Sequence, residues 1–156
     1  MASGIKKATA GVLAAAAISV AVYEGLYTSP YLDIVGVRTV CYGETAADHV
    51  DLHRGYTPAE CRKMLASSLV KYDEKMVACL RRDIPDSMHI AFISATYNIG
   101  VFAFCHSSMA RKVNEGDLRG ACDSLLAWDR AGGREIKGLH NRRVSERAIC
   151  LKDLGG

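Results

Sequence analysis

Apolar positions along this chain fall into three regimes. From Ala8 to Tyr23 sixteen residues pass without a charge, most of them alanine or β-branched, with Thr9, Gly11 and Ser19 diluting the run. From Tyr27 to Gly43 the pattern changes. Pro30 forbids a helix interior, and Ile34 to Gly43 is β-branched with glycine punctuation, which predicts a small hairpin or short sheet turning near Gly36. Beyond Gly55 the spacing becomes helical. Thr57-Pro58-Ala59-Glu60 is a capping box with proline at the first helical position. Met64, Leu65, Leu69, Tyr72, Met76 and Leu80 then follow at helical intervals to about Arg82. Asp86 opens a second helix through Ile90, Ile93 and Tyr97, closed by Gly100. A third is expected from about Ser107 to Asn114, and a fourth from Asp117 through Leu118, Cys122, Leu125 and Trp128. The stretch 130–138 reads as a glycine-rich loop before a last helix over about Leu139 to Leu151.

The predicted architecture is therefore α+β: one apolar helix, a small sheet and a helical lobe, with a cleft between sheet and lobe as the place for a site. The chain has 156 residues and 49% apolar content, enough for one domain with a real core.

Lys6 and Lys7 precede the apolar run, the order that favours export or insertion with the N-terminus inside. As a helix the run spans about 24 Å, short of the roughly 30 Å hydrocarbon core, so insertion is expected to be marginal. Four readings stay open on the residues alone. These are a signal peptide cut after Ser19-Val20-Ala21, a permanent anchor, an anchor that later leaves the membrane, and a buried alanine-rich helix.

A net charge of +3 and a pI near 8.5 suit an anionic polymer without selecting one. No basic block or nucleic-acid motif is present, which argues against nucleic acid as a partner. The six cysteines, Cys41, Cys61, Cys79, Cys105, Cys122 and Cys150, form no C-x-x-C pair, and an even number behind an export-like start suits an oxidising compartment. Cys79 and Cys105 flank the Ile90 to Tyr97 helix and are a candidate bridge; core thiols are the alternative. His49, His53, His89, His106 and His140 show no metal-ligand spacing. No metal and no cofactor are expected.

Candidate chemistry begins where the apolar run ends. Glu24 follows it directly, Asp33 comes nine residues later, and Thr39 six after that. Glycoside hydrolysis needs a proton donor for the leaving oxygen and a second carboxylate to act on water or on the sugar. Glu24 and Asp33 could supply both, with Thr39 orienting a water or Asp33. Two acids at this spacing are also what an ordinary solvated surface produces.

The wider pattern is more specific. Glu24-Gly25-Leu26, Pro30-Tyr31-Leu32-Asp33 and the run Val35 to Gly43 resemble the phage-type lysozymes, glycoside hydrolase family 24, whose signature is a glutamate, an aspartate and a threonine at this spacing. The resemblance runs from about Tyr23 to Leu151. It includes Ala95 to Gly100, Arg111 to Asp117, Trp128, Ala131-Gly132-Gly133, Lys137-Gly138-Leu139, Arg142-Arg143 and Glu146-Arg147. It implies a lysozyme-like fold and a peptidoglycan-cleaving muramidase acting on glycan strands as a monomer. Glu24 would be the general acid, Asp33 would act on water or the anomeric carbon, and Thr39 would assist. Tyr97, Asn98 and Ser107 would contact substrate. One departure stands out: Gly43-Glu44-Thr45 replaces the family's usual Gly-His-Thr. Trp128 is expected in the core, and Arg142, Arg143 and Arg147 on a solvated helix face.

Within the family, the uncut apolar start resembles signal-arrest-release endolysins, which lyse bacteria at the end of a phage infection. That resemblance divides the chain into residues 1–23, an apolar segment held in the inner membrane through residues 8–23, and residues 24–156, the catalytic domain. It also favours the reversible anchor, because cleavage after Ala21 would remove the helix that must carry Glu24. Leucine at Thr9 and Gly11 would then trap the chain in the membrane. A lytic transglycosylase and a non-catalytic wall-binding or membrane-disrupting protein are the alternatives.

Overall fold

The computed structural model describes residues 4–155. Of the apolar segment placed at 1–23, residues 1–3 lie outside the described residues. Helix α1 covers Ala10–Glu24. Strands β1 (Tyr27–Leu32) and β2 (Arg38–Cys41) pair antiparallel, Tyr31 facing Thr39 and Leu32 facing Arg38. A long helix α2 (Pro58–Val77) leads to the helical lobe of α3 (Asp86–Ile99), α4 (Val101–Cys105), α5 (Ser108–Glu115), α6 (Leu118–Asp123) and α7 (Lys137–Leu151). A two-residue pair, β3 (Arg130–Ala131) with β4 (Arg134–Glu135), precedes α7. The expected α+β class is borne out.

Helix α1 starts two residues into the apolar run that was expected to form it, for a physical reason. Thr9 caps it, accepting the Val12 N–H at 3.2 Å, and Gly25 at φ 73° ends it. The helix is apolar on all sides, but only Val12, Ala16 and Val20 are buried among its residues, one i, i+4 stripe against α2 and α3. Gly11, Ala14, Ile18 and Val22 face outward. Three polar contacts fasten the stretch before it. The Ala8 N–H donates to Asp73 Oδ2 at 2.8 Å, the Lys6 N–H donates to Asp83 Oδ1 at 2.7 Å, and Lys7 pairs with Glu74 at 3.7 Å. Asp73 is itself buried against His89 Nε2. Among the described residues, no helix is long and apolar enough to cross a membrane.

The core lies where α3 meets α1, α2 and α7, around Leu69, Met76, Met88, Phe92, Ile93, Phe104 and Leu125. Three disulfides staple it: Cys41–Cys61 ties the end of β2 to α2, Cys79–Cys105 ties the turn after α2 to α4, and Cys122–Cys150 ties α6 to α7. Closing loops of this length stabilises by roughly 3–4 kcal/mol each on the chain-entropy view.

Several boundaries differ from the sequence reading. Strand β1 begins at Tyr27 and contains Pro30, tolerated because the register is bulged between Tyr27 and Tyr31. Helix α2 stops at Val77 instead of near Arg82, unwinding through a turn to Leu80. Helix α4 was not expected: five residues are too few for a period to show. The fourth expected helix breaks at Asp123 into a 3-10 turn over Ser124–Ala127. The expected loop 130–138 is a tight hairpin, because Gly132 and Gly133, at φ 58° and 78°, form the two-residue turn that suits strand twist.

Candidate active site

Glu24 is the last residue of α1, so the packing of Val12, Ala16 and Val20 fixes where its carboxyl emerges. Arg142 of α7 meets it, Nη1 donating to Glu24 Oε1 at 2.8 Å, with the guanidinium 4.9 Å from the Tyr23 ring centroid. Arg142 is held in turn. Its Nη2 donates to the Ser94 carbonyl at 2.9 Å and its Nε to Glu146 Oε2 at 3.2 Å. Ser94 Oγ donates to the same Glu146 oxygen at 2.6 Å, and Arg143 Nη1 pairs with Glu146 Oε1. Arg143 completes its shell with the Trp128 carbonyl at 2.9 Å and Asn98 Oδ1. Burial pushes the Arg143 guanidinium below its ordinary value, a shift the Glu146 carboxylate opposes.

The other oxygen of Glu24 faces a turn. A Cβ on Gly43 would stand in ordinary contact, 3.5 Å from Glu24 Oε2 and 3.9 Å from Tyr97 Oη, so this backbone lies against the carboxyl and it is the φ of 93° that calls for glycine. The turn is tight. Val40 and Glu44 exchange both backbone hydrogen bonds at 2.9 Å, and Cys41 and Gly43 adopt φ 59° and 93°. Tyr97 Oη donates to the Tyr42 carbonyl at 2.6 Å and lies 3.2 Å from Glu44 Oε1. Glu44 is almost wholly buried, and Ser68 Oγ donates to its Oε2 at 3.1 Å. Burial, reinforced by the Asp48 carboxylate and opposed by the two hydroxyls, pushes the Glu44 carboxyl up to about 7. Burial also raises the Tyr97 phenol, with Glu44 and Glu24 adding.

Asp33 occupies the β1–β2 turn. Its Oδ1 accepts the Val35 and Val37 N–H groups at 2.9 and 2.8 Å, which leaves Oδ2 without a partner among the described residues. Thr39 is buried on β2 and donates to the Val37 carbonyl at 3.0 Å, not to Asp33. Tyr31 stands opposite Thr39 and lies within the field of both acids: its phenol is raised by burial first, then by Tyr27, Asp33 and Glu24.

A sequence profile described as phage lysozyme matches residues 21–146, four fifths of the chain, from before Glu24 through Arg142 and Glu146. The chain belongs to the phage lysozyme family. It is 40% identical over 162 aligned positions to a SAR-endolysin of Enterobacteria phage P21, covering 97% of this chain and 98% of that one. In three dimensions it resembles the active form of the P1 phage endolysin Lyz with a TM-score of 0.78 at 23% identity, covering 91% of this chain and 85% of that one. A P22 lysozyme mutant superposes with a TM-score of 0.77 at 24% identity, covering 95% and 100%. The fold is the expected lysozyme-like one.

Glu24 and Tyr97 flank the Gly43 turn, and Asp33 and Thr39 share the adjacent hairpin. Asn98 is an exposed residue whose carbonyl oxygen is taken by Arg143. Ser107 caps α5, accepting the Ala110 N–H and donating to the Phe104 carbonyl, so its hydroxyl is already engaged. Trp128 packs against the core, as expected. The solvated-face expectation holds only for Arg147, which pairs with Asp123. Arg142 and Arg143 are corrected to buried ones, because Glu24, Glu146 and backbone carbonyls supply the partners that a buried guanidinium requires. His140 lies 3.0 Å from Asp129 and 3.8 Å from Glu135 beside the β3–β4 hairpin, a half-exposed ion-pair cluster separate from this network.

Arg142, Glu146 and Ser94 are the site residues that the sequence reading did not assign. Glu146 is the keystone, since its two oxygens serve both guanidinium groups. Glu146→Ala leaves the buried Arg143 without an anion and deprives Arg142 of one of its two, and is expected to cost about 3–5 kcal/mol. Denaturant unfolding checks this, and a midpoint unchanged from wild type would show that the network carries no stability.

Proposed function

We propose that the chain is an endolysin of glycoside hydrolase family 24 type, hydrolysing the β-1,4 bond between N-acetylmuramic acid and N-acetylglucosamine in peptidoglycan. The observation that carries this reading is the pair of differently held carboxyls. Glu24 is gripped from one side by Arg142 and walled by Gly43, whereas Asp33 is fixed through Oδ1 and keeps Oδ2 open. Glu24 delivers a proton to the glycosidic oxygen. Asp33 Oδ2 then acts on the anomeric carbon or on the water that attacks it, and the anomer formed first tells which. Thr39 assists by fixing the Val37 end of the hairpin that presents Asp33. Tyr97 lines the sugar site, Asn98 follows it on α3 with its side-chain oxygen held by Arg143, and Ser107 serves through the cap of α5. None of these steps calls on a metal or a cofactor.

The N-terminal segment supplies the control. The names of the relatives support a membrane-tethered precursor that acts in the periplasm after release. While residues 8–23 lie in the inner membrane, Glu24 is held at the lipid surface and the grip of Arg142 is absent. On release the segment becomes α1 and delivers Glu24 to the site of a soluble, monomeric enzyme. Residues 1–23 and 24–156 are thus two functional parts, and their described residues pack together through α1 on α2 and α3.

Purified protein on peptidoglycan sacculi tests the chemistry. New reducing ends are expected; anhydro sugars would identify a transglycosylase, and solubilisation without cleavage a non-enzymatic wall binder.

A further inference from the structure

The Tyr97 phenol has one proton and two oxygen neighbours. The Tyr42 carbonyl, at 2.6 Å, can only accept, so the phenol proton lies there. The longer contact, 3.2 Å from Tyr97 Oη to Glu44 Oε1, then contains a hydrogen only if Glu44 brings it. The other Glu44 oxygen accepts from Ser68 Oγ, as the carbonyl oxygen of a carboxylic acid would. Among the described residues no arginine or lysine bonds to this buried carboxyl, and a buried carboxylate without a cation is costly. Donor counting and burial therefore agree on a neutral acid.

We propose that Glu44 serves the reaction as a protonated positioning residue for Glu24, its acid proton completing a relay through Tyr97 that holds the Tyr42–Gly43 turn against the Glu24 carboxyl. The inference rests on Glu24 being the proton donor. The chain of bonds runs from Ser68 to Glu44, from Glu44 to the Tyr97 oxygen, and from Tyr97 to the Tyr42 carbonyl. Gly43, next in sequence, is the wall beside Glu24 Oε2. When Glu44 loses its proton, the phenol turns its only hydrogen toward the new anion, because a charge-assisted bond is the stronger one. The Tyr42 carbonyl then loses its donor, and the wall of the site loses one of its fastenings. The bridge between Val40 and Glu44 and the Cys41–Cys61 disulfide keep the turn folded, so what is lost is position.

The groups that face Glu44 set where this happens. Asp48, from the turn after Gly43, and Glu24, from α1, both favour the neutral acid. The hydroxyls of Ser68 on α2 and Tyr97 on α3 act the other way, and the Tyr72 phenol lies in the field of Glu44. His49 and Lys71 share a pocket of about 240 Å³ with Glu44, and neither hydrogen-bonds to it. With the carboxyl raised to about 7, the relay is intact below neutrality and is lost as the pH rises through it.

Glu44→Leu and Glu44→Gln decide the matter, with kcat and KM on soluble glycan fragments measured from about pH 5 to 9. Leucine cannot ionise and cannot draw the phenol hydrogen from the Tyr42 carbonyl, so it is expected to lower kcat by less than about 10-fold, through the lost donor to Tyr97, and to move the alkaline fall upward with little change in KM. Glutamine donates through its amide and accepts from Ser68, so it restores most of kcat and moves the alkaline fall upward. An alkaline limb that stays put overturns the proposal. So does a limb that moves down, which is the result of removing only a negative charge near Glu24. Infrared difference spectra in the Glu24→Gln background separate this test from the assignment of Glu24. A protonated-carboxyl band that disappears near neutrality and is missing after Glu44→Gln is expected. Absence of that band below neutrality overturns the proposal even if Glu24 is the acid. Full activity of Glu24→Gln, with the band present, overturns only the assignment of Glu24.

Discussion

Glu24→Gln is expected to slow peptidoglycan cleavage by about 10²–10⁴-fold, the range that removal of a positioned general acid gives, with the folded structure retained. The amide fills the same volume. Its oxygen can still accept from Arg142 Nη1, now 2.8 Å from Glu24 Oε1, and the second terminal atom still faces Gly43. What disappears is the transferable proton and half of an ion pair. Arg142 is not left stranded, since Glu146 and the Ser94 carbonyl keep its other nitrogens bonded. Activity and stability should therefore separate, with lysis of permeabilised Gram-negative cells lost and the unfolding midpoint close to wild type. Asp33→Asn should also lower activity, but it touches a carboxyl that anchors a turn through Val35 and Val37. It is thus expected to loosen the hairpin as well. Wild-type cleavage by Glu24→Gln would remove Glu24 from the role of proton donor, and lysis without new reducing ends would remove the enzymatic reading.

The acids were legible in the sequence because their spacing is local, and so were the caps at Thr57 and Asp117, where donor and acceptor lie within one turn. The partners of the acids were not legible. Arg142 lies 118 residues from Glu24, and the spacing of Arg142, Arg143 and Glu146 on α7 suits an exposed face of i, i+4 ion pairs equally well. What distinguishes the two cases is burial: Arg143 and Glu146 are fully covered by α3 and the 3-10 turn that ends at Trp128, contacts that no periodicity along α7 records. Glu44 was visible as a departure from the usual histidine, but its meaning depends on Ser68 and Tyr97 arriving from two other helices. The same limit applies to Ser107, which looks like a cleft residue in sequence and is a helix cap in space.

Leucine at Gly11 and Ala14 is expected to hold the protein in the membrane, and the fold shows why these positions isolate that effect. The sequence alone suggests Thr9 and Gly11, but Thr9 caps α1, and losing a cap costs about 1 kcal/mol of the released form. A trapped Thr9 variant would therefore be ambiguous. Gly11 and Ala14 instead face outward, and a Cβ on Gly11 meets nothing closer than 3.9 Å. Leucine at either site leaves the Val12, Ala16 and Val20 stripe untouched; it improves helix propensity at Gly11 and costs little at Ala14. In the bilayer each leucine gains roughly 1.5–3 kcal/mol that it forfeits on leaving, so two of them shift the balance toward the membrane by about 10²–10⁴-fold. The released form has fixed resources with which to compete. These are the apolar stripe, the Ala8 N–H bond to the buried Asp73, the Lys6 N–H bond to Asp83 and the grip of Arg142 on Glu24. The leucines add nothing to any of them. Fractionation of cells expressing the double variant should find the protein in the membrane pellet, with delayed lysis. Serine at the same two positions should favour the soluble fraction. Detergent extraction should recover normal specific activity from the leucine protein, since its folded surface is altered only on the outer face of α1. Undiminished soluble activity in the periplasm would show that α1 never has to leave a membrane to place Glu24.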